Sequence, residues 1–266
     1  MSYNEIKTNF HTHTLFCGHA DGLPIDYLDK IDELHIKTLG FSEHAYVGVP
    51  SFKHTIKTPE DMNKYYDEVI KLRNATDTEV LVGLEVDYFP RLNSYYKELK
   101  EKYDYLSLSV HFVEYNGALT YGTRFNYLDE MRLYCSYMNE ALKTGLFAFI
   151  NHPDLFLNDF MNEYHDSIEI KGFEEAIIKQ AISFNKPLEL NVAQFIRYRH
   201  LYEKDNIRDD FWQMAGKMQA KVIVNFDAHS KDLLSLENYN MIMDYADGHN
   251  LNIIDDFRKC NYDERN

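Results

Sequence analysis

Nine residues of the kinds that bind metal ions or move protons recur at related places along this chain: His11, His13, His19, His44, Glu85, His111, His152, Asp227 and His229. Imidazole nitrogens and carboxylate oxygens without a cysteine pattern suit zinc, manganese or iron held for catalysis, because structural zinc usually recruits thiolates. In HTH (11–13) and DAH (227–229) the outer residues stand two apart. On a strand such residues point to the same side, so each pair can face one axis. With Glu85 able to bridge, the set offers donors for more than one divalent cation. Cys17, between His13 and His19, ranks below the histidines as a ligand. A lone H-x-H is common by chance, and a single histidine at a strand end is usually a hydrogen-bonded structural residue. The weight therefore rests on the whole set. His35, His54, His165, His200 and His249 have no comparable placement and are taken as structural.

The elements that must position these residues follow from hydrophobic pattern and punctuation. Strands are expected near Lys7–His11, Thr38–Phe41, Val80–Val86, Tyr105–His111, Phe147–Ile150, Leu188–Val192 and Lys221–Phe226. Helices are expected over Ile25–Leu34, Tyr127–Lys143, Ile168–Phe184 and Arg208–Met218, and from Thr58. The last has Thr58 as N-cap, Pro59 at the first helical position, and Asp61 three residues past the cap. Strands alternating with helices imply a parallel sheet. Seven strands suit a closed or nearly closed (β/α) barrel, although an open doubly wound sheet uses the same alternation. In a barrel, seven of the twelve histidines gather at strand C-termini. Those ends form the face where catalytic residues converge.

Composition narrows the function. The 266 residues, with 45% hydrophobic and 27% charged, suffice for one large core, and no linker or repeat divides them, so residues 1–266 are expected to form a single domain. The 43 acidic against 28 basic residues leave a formal charge of −15, which repels phosphate backbones in the absence of a basic channel. Nucleic acid is therefore not an expected partner. Three widely spaced cysteines make neither a disulfide framework nor a C-x-x-C metal site. No apolar signal segment opens the chain and no run is long enough to span a bilayer, so a cytoplasmic protein without a membrane partner is expected.

Taken in order, HTH (11–13), SEH ending at His44, GLE ending at Glu85, SVH ending at His111, NHP containing His152 and DAH (227–229) resemble the polymerase-and-histidinol-phosphatase (PHP) family. The matches run from His11 to His229, and HTHTLFCGHADG most resembles the histidinol-phosphate phosphatase branch. The resemblance implies an α/β fold, a distorted (β/α)7 TIM-like barrel with a trinuclear metal site. One metal would take His11, His13, Glu85 and Asp227. A second would share Glu85 and add His111 and His152. A third would take His19, His44 and His229. FDAH, where SDAH is frequent, and SEH, where DH or TDH is frequent, depart from the family pattern while keeping the ligands.

The implied reaction is hydrolysis of the phosphomonoester L-histidinol phosphate in histidine biosynthesis, by attack of a metal-bridging hydroxide. Paired divalent cations can acidify water, neutralise phosphoryl oxygens and assist the leaving oxygen. A third would lessen the repulsion between a dianion and this acidic chain. Asp227 or His229 is expected to move the proton. Arg197, after LELNV, resembles the arginine that follows the ELN motif in that branch and suits a phosphate, with Arg199 and Arg124 as competitors. Glu114, Tyr115 and Tyr121, in a loop after His111, are expected to receive a cationic, aromatic substrate, a solvent-exposed loop being the plainer reading. The alternatives are a PHP phosphoesterase acting on a nucleotide or sugar phosphate, and a non-catalytic metal-binding module. An exonuclease would want a basic channel, and an amidohydrolase a bridging lysine or carboxylate pattern; neither is recognisable in this sequence.

Overall fold

The computed structural model describes residues 3–48 and 55–260. His54 lies outside them. The first four strands, β1 (Thr8–Asn9), β2 (Thr38–His44), β3 (Glu79–Asp87) and β4 (Tyr105–Ser109), run parallel in sequence order. An antiparallel hairpin follows, β5 (Phe112–Tyr115) and β6 (Ala118–Tyr121). Strands β7 (Leu188–Asn191), β8 (Lys221–Asn225) and β9 (Asn252–Ile253) form a second parallel arc.

Ile150 joins the arcs, bridging Leu108 on one side and Leu188 on the other. At the opposite seam Thr12 pairs with Ala228, with His13 N donating to Ala228 O at 2.8 Å. Seven wall segments thus close into a distorted (β/α) barrel. The expected strand at Phe147–Ile150 reduces to that one bridge residue. Its backbone still bonds both neighbours, through Ala148 N to Leu106 O (2.8 Å) and Ile150 N to Pro187 O (3.0 Å). The expected first strand is nearly as short, only the two residues of β1. Across its seam with β8, side-chain amides stand in for the backbone ladder: Phe10 N donates to Asn225 Oδ1 (2.8 Å) and Phe226 N to Asn9 Oδ1 (2.9 Å).

The outer helices are α1 (Leu28–Leu34), α2 (Pro59–Arg73), α3 (Asn93–Lys102), α4 (Leu128–Lys143), α5 (Asp159–Asn162), α6 (Ile168–Ser183), α7 (Val192–Arg197), α8 (Ile207–Lys217) and α9 (Leu236–Gly248). Thr58 caps α2 as its sequence demands, its hydroxyl accepting from Asp61 N at 3.1 Å. The helix expected from Ile25 opens as a 3-10 turn over Pro24–Tyr27, and α1 ends at His35 in the left-handed region (φ 53°). Helices α3, α5, α7 and α9, strand β9 and the hairpin are additions to the expected elements. The hairpin turns at Asn116 and Gly117, both at positive φ. An Asn-Gly pair favours such a turn, because both central residues of a type I′ turn need positive φ. No helix among the described residues is long and apolar enough to cross a membrane.

A separate inner cluster, Phe10, Leu81, Tyr105, Ala148, Phe149, Ile223 and Phe257, plugs the barrel away from the site. Tyr105 spans it, donating its hydroxyl to Phe10 O at 2.6 Å and lying 3.1 Å from Phe41 O. That ring leaves no room at Gly83, where an added Cβ would lie 2.3 Å from Tyr105 Cζ. Gly83→Ala is therefore expected to destabilise the barrel by about 1–3 kcal/mol, the usual cost of overpacking a core. Its denaturant midpoint should fall with an unchanged slope; an unchanged midpoint would mean that the tyrosine moves freely.

Candidate metal centre and active site

Every wall segment except β7 delivers a ligand-type side chain at its C-terminal end. His44 is the last residue of β2, Glu85 sits near the end of β3, and His111 follows β4 by two residues. His152 and Asp227 follow Ile150 and β8 by two residues each. Both hold positive φ, 26° and 51°. Non-glycine residues adopt such angles at a cost, commonly at functional sites. Here His152 N is tied to Glu189 Oε2 (3.0 Å), and Asp227 Oδ2 accepts from Asn191 Nδ2 (3.1 Å).

Glu85 is the hub, and it is buried. Its Oε2 lies 3.3 Å from His11 Nε2, 3.3 Å from His13 Nε2 and 2.9 Å from His44 Nδ1, yet makes no hydrogen bond. Its Oε1 faces His152 Nε2 (2.9 Å) and His111 Nε2 (3.4 Å) and accepts from Ser109 Oγ (2.6 Å). Asp227 Oδ1 completes the first group, 3.4 Å from His11 Nε2 and 3.1 Å from His13 Nε2. Burial pushes both carboxyls up, but the surrounding imidazoles outweigh it. His44, His11 and His111 act on Glu85 and His11 and His13 on Asp227, and both acids are held well below the usual carboxylate range.

The donor set itself fits a cation. His11 Nδ1 meets Glu189 Oε1 at 2.8 Å, and His13 Nδ1 meets Glu43 Oε1 at 3.0 Å. An ionised carboxylate only accepts, so each Nδ1 carries a proton and each ring turns Nε2 inward. Burial works against charge on these rings, yet the carboxylates around them outweigh it and draw positive charge to that spot, as a second proton or as a cation. Those two Nε2 atoms lie 3.0 Å apart. Two facing lone pairs beside two carboxylates repel unless a positive charge lies among them. The separations of 3.0–3.4 Å among these atoms match the edges, roughly 3.3 Å, of a tetrahedron with bonds of about 2.0 Å. His19 and His229 make a third group, Nε2 to Nε2 at 2.8 Å. His44 stands between groups: its ring stacks on His13 at 4.4 Å while its Nδ1 turns to Glu85. Cys17 is buried within reach of both His19 and His229.

Three carboxylates that the sequence reading did not single out orient these rings: Glu189 on His11, Glu43 on His13 and Asp87 on His111 Nδ1 (3.0 Å). Partners of this kind fix the tautomer and raise the basicity of a metal-binding histidine. A faint signal existed. Glu43 sits in SEH, Glu189 in ELN, and Asp87 two residues beyond Glu85, on the same strand face.

Beside the ligand group opens a cavity of about 1040 Å³, lined among others by Asp21, Tyr121, Arg124, Gln194, Arg197 and Tyr198. Arg197 reaches it from the last position of α7, a helix where a short loop was expected. Arg124 also lines it. Arg199 does not: its guanidinium lies over Phe195 and against Met241 Sδ. Two further expectations need correction. Glu114 and Tyr115 lie on β5, outside the cavity lining. Glu114 is exposed and paired with Arg91 (2.6 Å), and Tyr115 packs near Tyr127. The period of two puts Tyr115 on the face opposite Phe112 and Tyr121; Glu114 shares their face but stands next to the turn, opposite Leu119, where Arg91 holds it. Tyr121, at the end of β6, does enter, stacked near His111 at 6.0 Å.

Comparison with known proteins bears on both fold and site. The model of the PHP domain family matches residues 9–193. A curated relative from Deinococcus radiodurans, named "Probable histidinol-phosphatase", is 26% identical over 159 residues, 54% of this chain. That match spans 59% of the relative's own length. A solved structure of a "putative histidinol phosphatase" from Listeria monocytogenes superposes with a TM-score of 0.71 at 18% identity, covering 86% of this chain and 97% of that one. Histidinol phosphate phosphatase from Lactococcus lactis, solved with zinc, L-histidinol and phosphate, gives 0.69 at 17% identity, over 94% and 95%. At such identities the likeness to the solved structures is one of fold.

Proposed function

Since the chain belongs to the PHP domain family, we propose that it is a metal-dependent phosphomonoesterase that hydrolyses L-histidinol phosphate to L-histidinol and phosphate. The observation that carries this reading is Glu85, buried and ionised, with imidazoles on both oxygens beside a cavity that holds two arginines. The names of the relatives support the substrate. Three divalent ions, zinc, manganese or iron, suit the donors: His11, His13, Glu85 and Asp227; Glu85, His111 and His152; and His19, His44 and His229. When bound, such ions supply Lewis acidity toward the phosphoryl oxygens and an acidified water.

The protein's own residues do the rest. Arg197 and Arg124 hold the phosphate at the cavity wall. Asp227, ionised at the cavity edge, takes the proton of the attacking water. His229, whose Nδ1 lies 3.4 Å from Asp227 Oδ1, completes the path by which that proton reaches the leaving alkoxide oxygen. Free, buried Cys17, Cys135 and Cys260 agree with a reducing compartment, and so with action in the cytoplasm. The whole chain acts as one unit in this reading, because ligands come from both arcs of the barrel.

The test is phosphate release from L-histidinol phosphate and other phosphomonoesters, with and without chelator, alongside metal analysis. Fast, chelator-sensitive release that favours L-histidinol phosphate is expected. A preference for another ester would move the reading to a related phosphoesterase. Metal without any release would leave a binding module. Arg197→Ala should raise KM for the ester by about 10- to 100-fold with a smaller change in kcat, as for the loss of one charged hydrogen-bonding group. An unchanged KM would pass the role to Arg124.

A further inference from the structure

Gln194 lies on the cavity wall in α7, one helical turn before Arg197, so the two side chains share a face of the helix. It is nearly buried, and what lies behind it is unusual. Arg208 of α8 is fully buried, a rare place for a charge. Its Nη1 donates to Gln194 Oε1 at 2.7 Å and to Tyr202 Oη at 3.2 Å, and its Nε to Leu157 O at 2.9 Å. The guanidinium lies over the Tyr198 ring, 4.9 Å from its centroid. Asp154 balances the charge from 3.9 Å, its Oδ2 accepting from Tyr202 Oη (2.7 Å) and Trp212 Nε1 (3.2 Å).

A guanidinium has donors only. Whatever atom of the Gln194 amide faces Arg208 must be the oxygen, so the amide cannot flip. Its NH2 is left on the other side, and among the described residues Nε2 has no hydrogen-bond partner. We propose that Gln194 is a phosphate-binding residue, its amide NH2 donating to a phosphoryl oxygen beside Arg197, with Arg208 as the positioning residue that fixes the direction of the amide. This rests on the phosphatase reading and adds to its two arginines a third, uncharged donor. A neutral donor suits this place, because it grips the ester without holding the product phosphate as tightly as another cation would.

The discriminating variant is Gln194→Glu. Its carboxylate still accepts from Arg208, so packing and the buried charge remain satisfied, but its second oxygen repels phosphate. Binding of inorganic phosphate to the metal-loaded protein is measured by calorimetry, beside steady-state kinetics, metal content and Tm. The expected result is a rise of about 10- to 100-fold in the phosphate Kd and in KM, with metal content unchanged and Tm equal or higher. Gln194→Met, which removes the donor without adding charge, should show a smaller rise in both constants. Should the glutamate variant fail to fold, the methionine variant decides alone. Phosphate affinity and KM equal to wild type in a folded variant would overturn the proposal and leave the phosphatase reading standing. Wild-type protein that holds metal but neither binds inorganic phosphate nor releases it from any ester would overturn both.

Discussion

Glu85→Gln is expected to lower phosphate release by at least 10²–10³-fold, the scale for losing one preorganised electrostatic group at a reacting centre, and to lower bound metal with it. The argument is local. Glu85 Oε2 faces His11, His13 and His44, while Oε1 faces His152 and His111. Glutamine keeps the volume but must turn its NH2 to one of these sides, where it occupies a lone pair meant for a cation. It also removes the negative charge from the centre of the cluster. Elemental analysis and turnover of the purified variant check this, with Tm to show that it folds. Full metal content with normal turnover would mean that Glu85 is not the shared ligand.

Stripping metal from the wild-type protein is expected to abolish phosphate release and to lower Tm by about 5–10 °C for each site emptied. A ligand held at 100 times its Kd contributes about 2.7 kcal/mol to the folded state, and for a chain of this size each kcal/mol moves Tm by about 2–4 °C. The physical cause is the set of inward lone pairs of His11 and His13, 3.0 Å apart, beside the ionised Glu85 and Asp227. Without cations these groups repel and must capture protons. Calorimetric scans with chelator, and after zinc is restored, measure the shift. A Tm indifferent to chelator in protein proved free of metal would show that the histidine cluster is satisfied by hydrogen bonds alone.

The cluster was legible because its residue types are few and its spacing is regular. His11 with His13, and Asp227 with His229, carry the two-residue period of strands. His44, Glu85, His111 and His152 each end an apolar run whose length marks a strand. Thr58, Pro59 and Asp61 announced α2 because helix capping is a matter of three or four neighbouring residues. Cavity neighbours were less legible. Tyr121 and Glu114 lie seven residues apart on one face of the hairpin, yet Tyr121, at its open end, enters the cavity and Glu114, next to the turn, is held by Arg91. The Asn-Gly turn at 116–117 held that information unread.

By itself, then, the amino-acid sequence determined which side chains could hold metal, the order of the main strands and the family they belong to, because these depend on residue type and local period. Only the tertiary structure decided that Glu189, 178 residues away, orients His11 and that Glu43 orients His13. It also decided that Asn9 and Asn225 close the seam of the barrel and that a buried Arg208 aims the amide of Gln194. Each of these is a hydrogen bond between groups far apart in the chain. Either partner alone is an ordinary polar residue, and its role exists only once folding has excluded water and left it a single partner.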